Sequence, residues 1–182
     1  MNIRLLVLIL SALPVAALPG LASAGGGFAS MAYVHSSIEP PDSNNKAKVD
    51  ALQFNFGGWL NAQRTLGIEG RAALGFSDDT IRFENGQRTK VEMNRYFGAY
   101  MRAQFPDTMP VRPYGLVGLS RAETTERDAS GSSSRSYSDV SLGFGVDVTL
   151  DHNIYFTVEY MRLADRSSRE ISNLMLGIGG RF

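Results

Sequence analysis

The chain contains no cysteine and only two histidines in 182 residues. The lack of cysteine excludes disulfides, a thiolate metal site and a lipid anchor on a cysteine. Basic and acidic side chains balance, with 18 lysines and arginines against 18 aspartates and glutamates. Because neither sign is in excess, we expect no nucleic acid partner and no bulk attraction to the phosphates of a lipid surface.

Only the N-terminus carries a long run of apolar residues. A short basic start that ends at Arg4 precedes the apolar residues 5–10, two prolines follow, and Ala22-Ser23-Ala24 has the A-x-A form of a cleavage site. This order predicts a secretory signal peptide over residues 1–24. A transmembrane helix is the alternative, but the apolar run is short and followed by prolines. We expect residues 25–182 to form one domain, with one more acidic than basic side chain once Arg4 is removed.

Apolar and polar side chains alternate along most of the chain after residue 24. In the segment 139–150, Val140, Leu142 and Phe144 fall on one face, and the residues between them are small or polar. Such a strand suits a transmembrane β-barrel, which has lipid outside and a polar lumen inside. Eight segments of this kind predict an all-β fold, an eight-stranded antiparallel up-and-down barrel. They cover about residues 28–36, 49–58, 66–76, 91–105, 114–121 (whose parity is ambiguous), 139–150, 154–162 and 171–182.

The connections between these segments are alternately long and short. The long connections are polar, and the short ones include the three residues Asp151-His152-Asn153. Outer-membrane barrels have long extracellular loops and short periplasmic turns, so this rhythm predicts that both chain ends face the periplasm. The run 130–134 reads as a flexible loop tip. The long connections are 37–48, 77–90, 122–138 and 163–170, and the short ones are 59–65, 106–113 and 151–153.

Several charged side chains fall on the face that the alternation assigns to the lumen. Glu69 and Arg102 are expected as neighbours on adjacent strands, and Arg71 is expected to meet Glu159 across the lumen. Side chains fill the interior of an eight-stranded barrel, and charges buried there must be paired. We therefore predict a structural network of ion pairs, with a gated ion or proton path as the alternative. The network comprises Glu69, Arg71, Arg102, Asp147, Glu159 and Arg181.

Aromatic residues gather near the predicted strand ends. Girdles of this kind anchor a barrel at both membrane interfaces, although aromatics also scatter along strands without such a role. We predict one girdle from Trp59, Phe105, Tyr114, Tyr155 and Phe182 at the periplasmic end, and another from Tyr33, Phe76, Tyr137 and Tyr160 at the outer end.

The two histidines raise the question of catalysis. His35-Ser36 lies at the outer end of the first strand, and Ser77-Asp78-Asp79 opens the second long connection. A Ser, His and acid group near the outer leaflet suits acyl transfer or hydrolysis of lipid A, but no motif of the known barrel enzymes surrounds these residues. His152 is most simply a solvated turn residue. We expect no enzyme activity, no metal and no cofactor.

The alternation, the loop rhythm, Glu159-Tyr160 and the terminal Gly-Arg-Phe resemble the small outer-membrane β-barrel superfamily, which includes the OmpA transmembrane domain, the OmpX/Ail type and the surface-antigen barrels. The resemblance covers about residues 25–182. It implies an integral protein of the cell outer membrane, in contact with lipid and lipopolysaccharide and inserted by the barrel assembly machinery. In the family that machinery reads a last strand ending in phenylalanine, which is Phe182 here.

The resulting expectation for function is a non-catalytic, monomeric surface protein. Its extracellular loops would contact surface ligands, and its lumen would be closed by side chains. The alternatives are a narrow passive channel, a lipid A-modifying enzyme and a soluble lipocalin-like barrel. The last would need a pocket for an apolar ligand, and the charges at Glu69, Arg71, Asp147 and Glu159 do not suit one.

Overall fold

The computed structural model describes residues 25–39, 46–82, 88–106, 108–128, 131–163 and 170–182. The predicted signal peptide, with the cleavage residues Ala22 and Ala24, lies outside these ranges. Within them there is no helix long and apolar enough to cross a membrane.

The described residues form one closed antiparallel sheet. Strands β3 and β4 both pair with β5, so they occupy a single position in the wall, and β1 pairs with the last strand. The predicted eight-stranded up-and-down barrel is therefore confirmed. The strands are β1 (Gly27–Glu39), β2 (Ala47–Trp59), β3 (Leu66–Gly75), β4 (Asp78–Arg82), β5 (Arg88–Gln104), β6 (Val111–Asp128), β7 (Gly131–Thr149), β8 (Ile154–Leu163) and β9 (Glu170–Arg181).

Closure of the sheet satisfies the backbone without water. Gly27 N donates to Phe182 O at 2.7 Å, and Phe182 N donates to Gly27 O at 2.9 Å, so the two ends of the described chain are bonded to each other. In hydrocarbon an unpaired peptide group costs several kcal/mol, which is why only helices and closed barrels span a bilayer. The closed pairing of β1 with β9 therefore meets the requirement that a lipid bilayer imposes on the backbone.

Side chains alternate between the lumen and the outer face along every strand whose pattern was predicted. The ambiguous strand is now settled, because Tyr114 and Leu116 of β6 are buried, whereas Val117 and Leu119 are exposed. The outer face is apolar around the barrel; Phe144, for example, is 65% exposed in the absence of lipid. This outward band is the surface that contacts acyl chains.

Two strands extend much further on the outer side than the sequence predicted. β6 has 18 residues and β7 has 19, and they remain paired up to Asp128 opposite Gly131. The prediction of a loop over 122–138, with a flexible tip at 130–134, is wrong for the described residues of that stretch, which are strand. The polar sequence hid these strands because, beyond the membrane, neither face needs apolar side chains. The strand β4 was likewise predicted as loop.

Candidate functional site: the closed lumen and the outer rim

Three carboxylates and three guanidinium groups meet in the half of the lumen nearer the described chain ends. Arg71 forms two hydrogen bonds to Glu159, with Nη1 to Oε1 at 2.5 Å and Nη2 to Oε2 at 2.8 Å. Arg71 Nε also donates to Glu69 Oε1 at 2.8 Å. All three residues are at most 4% exposed. The planar fork of one arginine therefore joins carboxylates from two different strands.

Arg102 connects this group to the lower part of the lumen. Its Nη1 donates to Glu69 Oε2 at 3.2 Å and its Nη2 to Asp147 Oδ2 at 2.7 Å. Arg181 Nη2 reaches the same Asp147 oxygen at 3.2 Å. The Glu69 contact is diagonal across two strands, because Arg102 lies directly opposite Gly67. The structure thus connects all six sequence-predicted residues in one series of ion pairs, whose formal charges sum to zero. Their order along the series is Glu159, Arg71, Glu69, Arg102, Asp147 and Arg181.

Aromatic rings cover the guanidinium groups of the network. The Cζ atom of Arg102 lies 3.7 Å from the centroid of the Tyr114 ring, and that of Arg181 lies 4.3 Å from the Tyr155 ring. The Tyr114 hydroxyl also donates to Glu159 Oε2 at 2.8 Å. A desolvated cation gains more from an aromatic face than a cation in water does. The rings therefore exclude water from the ion pairs and supplement them.

This placement overturns part of the predicted aromatic girdle. Trp59, Tyr114 and Tyr155 are 1%, 5% and 2% exposed and face the lumen. Tyr155 lies four residues from the inward Glu159, and Trp59 lies four residues from the inward Asn55. Counting by twos therefore assigns both rings to the lumen, whereas the girdle prediction relied on their position near a strand end. The side chain of Tyr137 lies outside the described residues. Residues exposed on the outer face as predicted are Phe105 and Phe182 at one end, and Tyr33, Phe76 and Tyr160 at the other.

Glycines on the lumen face make room for these rings. A Cβ atom at Gly145 would lie 2.5 Å from Cζ of Tyr114, and one at Gly179 would lie 2.5 Å from Cζ of Tyr155. Such approaches are too close for any side chain, so the rings lie flat against bare backbone. The spacing of glycines along the strands therefore determines where the aromatic covers of the network are placed.

Sequence reasoning also missed Arg112. It is 1% exposed, and its Nη2 donates to Thr149 Oγ1 at 2.7 Å. Arg112 lies opposite Asp147 in the β6–β7 register. The sequence predicted a short connection over residues 106–113, which includes Arg112, and a strand that begins only at about Tyr114. Pro113 in fact lies within β6, with its side chain on the exposed face.

The outer half of the lumen has a different character from the network. Its buried side chains are mainly apolar on the side of β1, β2 and β9, where Ser36 and Asn173 pair with each other. On β6 and β7 the buried Ser120 and Ser141 are hydrogen-bonded to each other at 2.5 Å. The expectation of a polar filling along the whole lumen is therefore wrong for the side of β1, β2 and β9. The second predicted segment began at about residue 49, and the apolar inward positions Ala47, Val49 and Ala51 of β2 were not predicted. The layer comprises Val34, Ile38, Ala47, Val49, Ala51 and Ile171.

The residues considered for catalysis are divided between the two faces. Adjacent strand residues point to opposite sides, and Ser36 is buried in the lumen whereas His35 faces outward. His35 Nδ1 lies 2.8 Å from Asp50 Oδ1, and the Tyr33 hydroxyl donates to the same oxygen at 2.6 Å. Ser77 Oγ accepts from the backbone nitrogen of Asp50 at 2.5 Å. This cluster orients the imidazole on the outer face, but it does not join His35 to Ser36.

The other histidine lies in the short turn between β7 and β8. The side chain of His152 is fully exposed, and its Nδ1 lies 3.0 Å from Asp151 Oδ1. The pKa of Asp151 is lowered, mainly by the hydrogen bond from the His152 side chain and to a smaller extent by the one from the His152 backbone. His152 is thus the solvated turn residue that the sequence predicted. Among the described residues, no group of three or more His, Cys, Asp or Glu side chains has the arrangement of a metal site.

Comparisons with known proteins agree with this architecture. Ail, the attachment invasion locus protein of Yersinia pestis, is 20% identical with a TM-score of 0.63, over 87% of this chain and 99% of that one. Neisserial surface protein A is 16% identical with a TM-score of 0.64, over 86% and 97%. OprG from Pseudomonas aeruginosa is 14% identical with a TM-score of 0.60, over 88% and 99%. No curated protein matches the sequence.

These likenesses concern the fold alone, since the identities are low. A family assignment comes from the sequence itself, because the model of the outer membrane protein beta-barrel domain matches residues 5–182. The predicted resemblance to the small outer-membrane barrels is thereby confirmed. The chain belongs to the outer membrane protein β-barrel domain family and resides in the cell outer membrane.

Proposed function

We propose that this protein is a non-catalytic surface protein, whose barrel is a closed anchor and whose outer strands contact molecules outside the cell. The observation that carries the proposal is the filled lumen. Among the described residues, a network of ion pairs fills one half of the lumen. In the other half an apolar layer lines one side, and buried side chains such as Tyr96, Ser120 and Ser141 line the other, so side chains close the interior. The activity must then lie on the outer surfaces.

The long strands supply a surface for such contacts. On β6 and β7 the pairing continues seven residues beyond Arg121, from Ala122 to Asp128. At about 3.3 Å per residue this sheet projects on the order of 20 Å beyond the rim of the apolar band. A paired sheet loses less conformational entropy on binding than a mobile loop does. Ail, which has the same fold, was solved in complex with the heparin analogue sucrose octasulfate.

The channel alternative is tested by planar-bilayer recording on protein purified in detergent and shown to be folded by its shift in gel mobility on boiling. We expect no stepwise conductance, because buried ion pairs held by several partners do not move aside for an ion. Discrete conductance steps that scale with the amount of folded protein would contradict the closed-anchor proposal and establish the channel.

The surface role is tested by shortening the β6–β7 hairpin. Replacing residues 125–134 by Asn-Gly deletes four residues from each strand together with the turn between them, and so keeps the register and the facing of the strand residues that remain. We expect expression of the intact protein to increase the sedimentation of cells and their adherence to epithelial monolayers, and expression of this variant to leave both unchanged. Equal sedimentation and adherence with both proteins, at equal outer-membrane levels, would reject the hairpin as the contact surface.

A further inference from the structure

A groove of about 620 Å³ lies on the lipid-facing side of the barrel wall, away from the lumen. It follows the outer face of β3, β5 and β6. Two small residues that line it, Gly70 and Ala99, pair directly with each other. The outward side chains that line the groove are Phe56, Ile68, Ala99, Met101, Val117, Leu119 and Val140.

The groove exists because two small residues face each other between large ones. A Cβ atom at Gly70 would lie 2.6 Å from the ring of Phe56, so this ring lies across bare backbone. Met101 and Leu119 stand on the far side and are 51% and 66% exposed. The groove is therefore a recess in an otherwise convex apolar surface, and its shape suits an extended hydrocarbon chain.

Two arginines lie above the outer end of this groove. Along β6 the next outward residue after Leu119 is Arg121, and along β5 the outward residues after Ala99 are Phe97 and then Arg95. Phe97 is directly opposite Arg121. Both arginines are exposed on the outer face, and they lie diagonally across the β5–β6 pair from each other.

The immediate neighbours of these arginines orient one of them and leave a positive charge. Arg121 Nε donates to Ser136 Oγ at 2.8 Å and lies 4.0 Å from Glu123 Oε1. Glu123 is also opposite Arg95 in the register. Glu123 is thus paired with Arg121 and is the cross-strand neighbour of Arg95, so two cations lie beside one carboxylate. Because the bond to Ser136 uses Nε, the two terminal nitrogens of Arg121 retain donors in the geometry that binds phosphate bidentately.

We propose that this surface binds one molecule of the phosphorylated glycolipid of the outer leaflet, lipid A, with an acyl chain in the groove and a phosphate on Arg95 and Arg121. The two arginines lie above the apolar groove, as the phosphates of lipid A lie above its acyl chains. The position at the outer end of the apolar band assigns the site to the outer leaflet.

The experiment is native mass spectrometry of the folded protein in detergent, titrated with diphosphoryl lipid A. We expect one lipid per barrel, and binding about tenfold weaker for the double variant Arg95→Gln/Arg121→Gln, which loses the charge-assisted contacts. Ala99→Leu fills the groove and is expected to weaken binding as well. Dephosphorylated lipid A is expected to bind the intact protein as weakly as the diphosphoryl form binds the double variant.

Two matched controls separate this site from general lipid contact. Arg162→Gln removes an exposed outward arginine at the same rim, and Ala103→Leu enlarges an outward alanine of β5 outside the groove. Both are expected to bind diphosphoryl lipid A as the intact protein does. The proposal would be overturned if the two controls lost as much affinity for diphosphoryl lipid A as the test variants do. It would also be overturned if the test variants lost no affinity. Equal retention of phosphatidylglycerol would overturn the assignment to lipid A.

Discussion

Replacing Glu159 by alanine is expected to destabilise the barrel by about 3–5 kcal/mol, which is the usual cost of leaving one buried charge without its partner. Glu159 accepts two hydrogen bonds from Arg71 and one from Tyr114, and it is 1% exposed. Without Glu159, Glu69 is the one carboxylate among the described residues that still pairs with Arg71. The measurement is the urea concentration at which half of the protein in detergent loses its folded gel mobility.

Two further variants show whether the pairing itself is responsible. The double variant Arg71→Met/Glu159→Met removes one charge of each sign and keeps the volume, so it is expected to recover most of the loss. Glu123→Ala removes a glutamate whose side chain is 42% exposed and is expected to change stability by less than about 1 kcal/mol. If Glu159→Ala behaves like Glu123→Ala, or if the double variant is no better than the single one, the network does not stabilise the fold.

Replacing Val34 by aspartate is expected to prevent stable folding, or to lower the urea midpoint as much as Glu159→Ala does. Val34 is 2% exposed and lies in the apolar layer of the lumen, opposite Ala51 on one side and Met175 on the other. The described residues place no arginine or lysine opposite this position, so a carboxylate there costs several kcal/mol. The readout is again the urea midpoint of the folded gel mobility.

The control for Val34→Asp is the same acidic side chain on the other face of the same strand. Ser37 is part of β1, faces outward at the rim, and is half-buried. Ser37→Asp is expected to fold normally. Equal stability of the two variants would show that water reaches the outer half of the lumen, and would reopen the channel alternative.

The amino-acid sequence by itself determined the barrel, the facing of most strands and the members of the lumen network. Period-two alternation is a local property, because each side chain must suit either lipid or lumen wherever the strand crosses the membrane. Glu69, Arg71 and Glu159 fall on the lumen face by counting alone. Their pairing follows, since a charge in a lumen this narrow needs an opposite charge.

The tertiary structure decided what counting along one strand cannot supply. The order of ion pairs depends on the stagger between strands, so the diagonal contact of Arg102 with Glu69 and the placement of Tyr114 over Arg102 appear only once the sheet is closed. The length of β6 and β7 depends on pairing outside the membrane, where no apolar pattern marks a strand. The groove at Gly70 and Ala99 arises because two small residues on different strands meet in register, which is a property of the closed sheet.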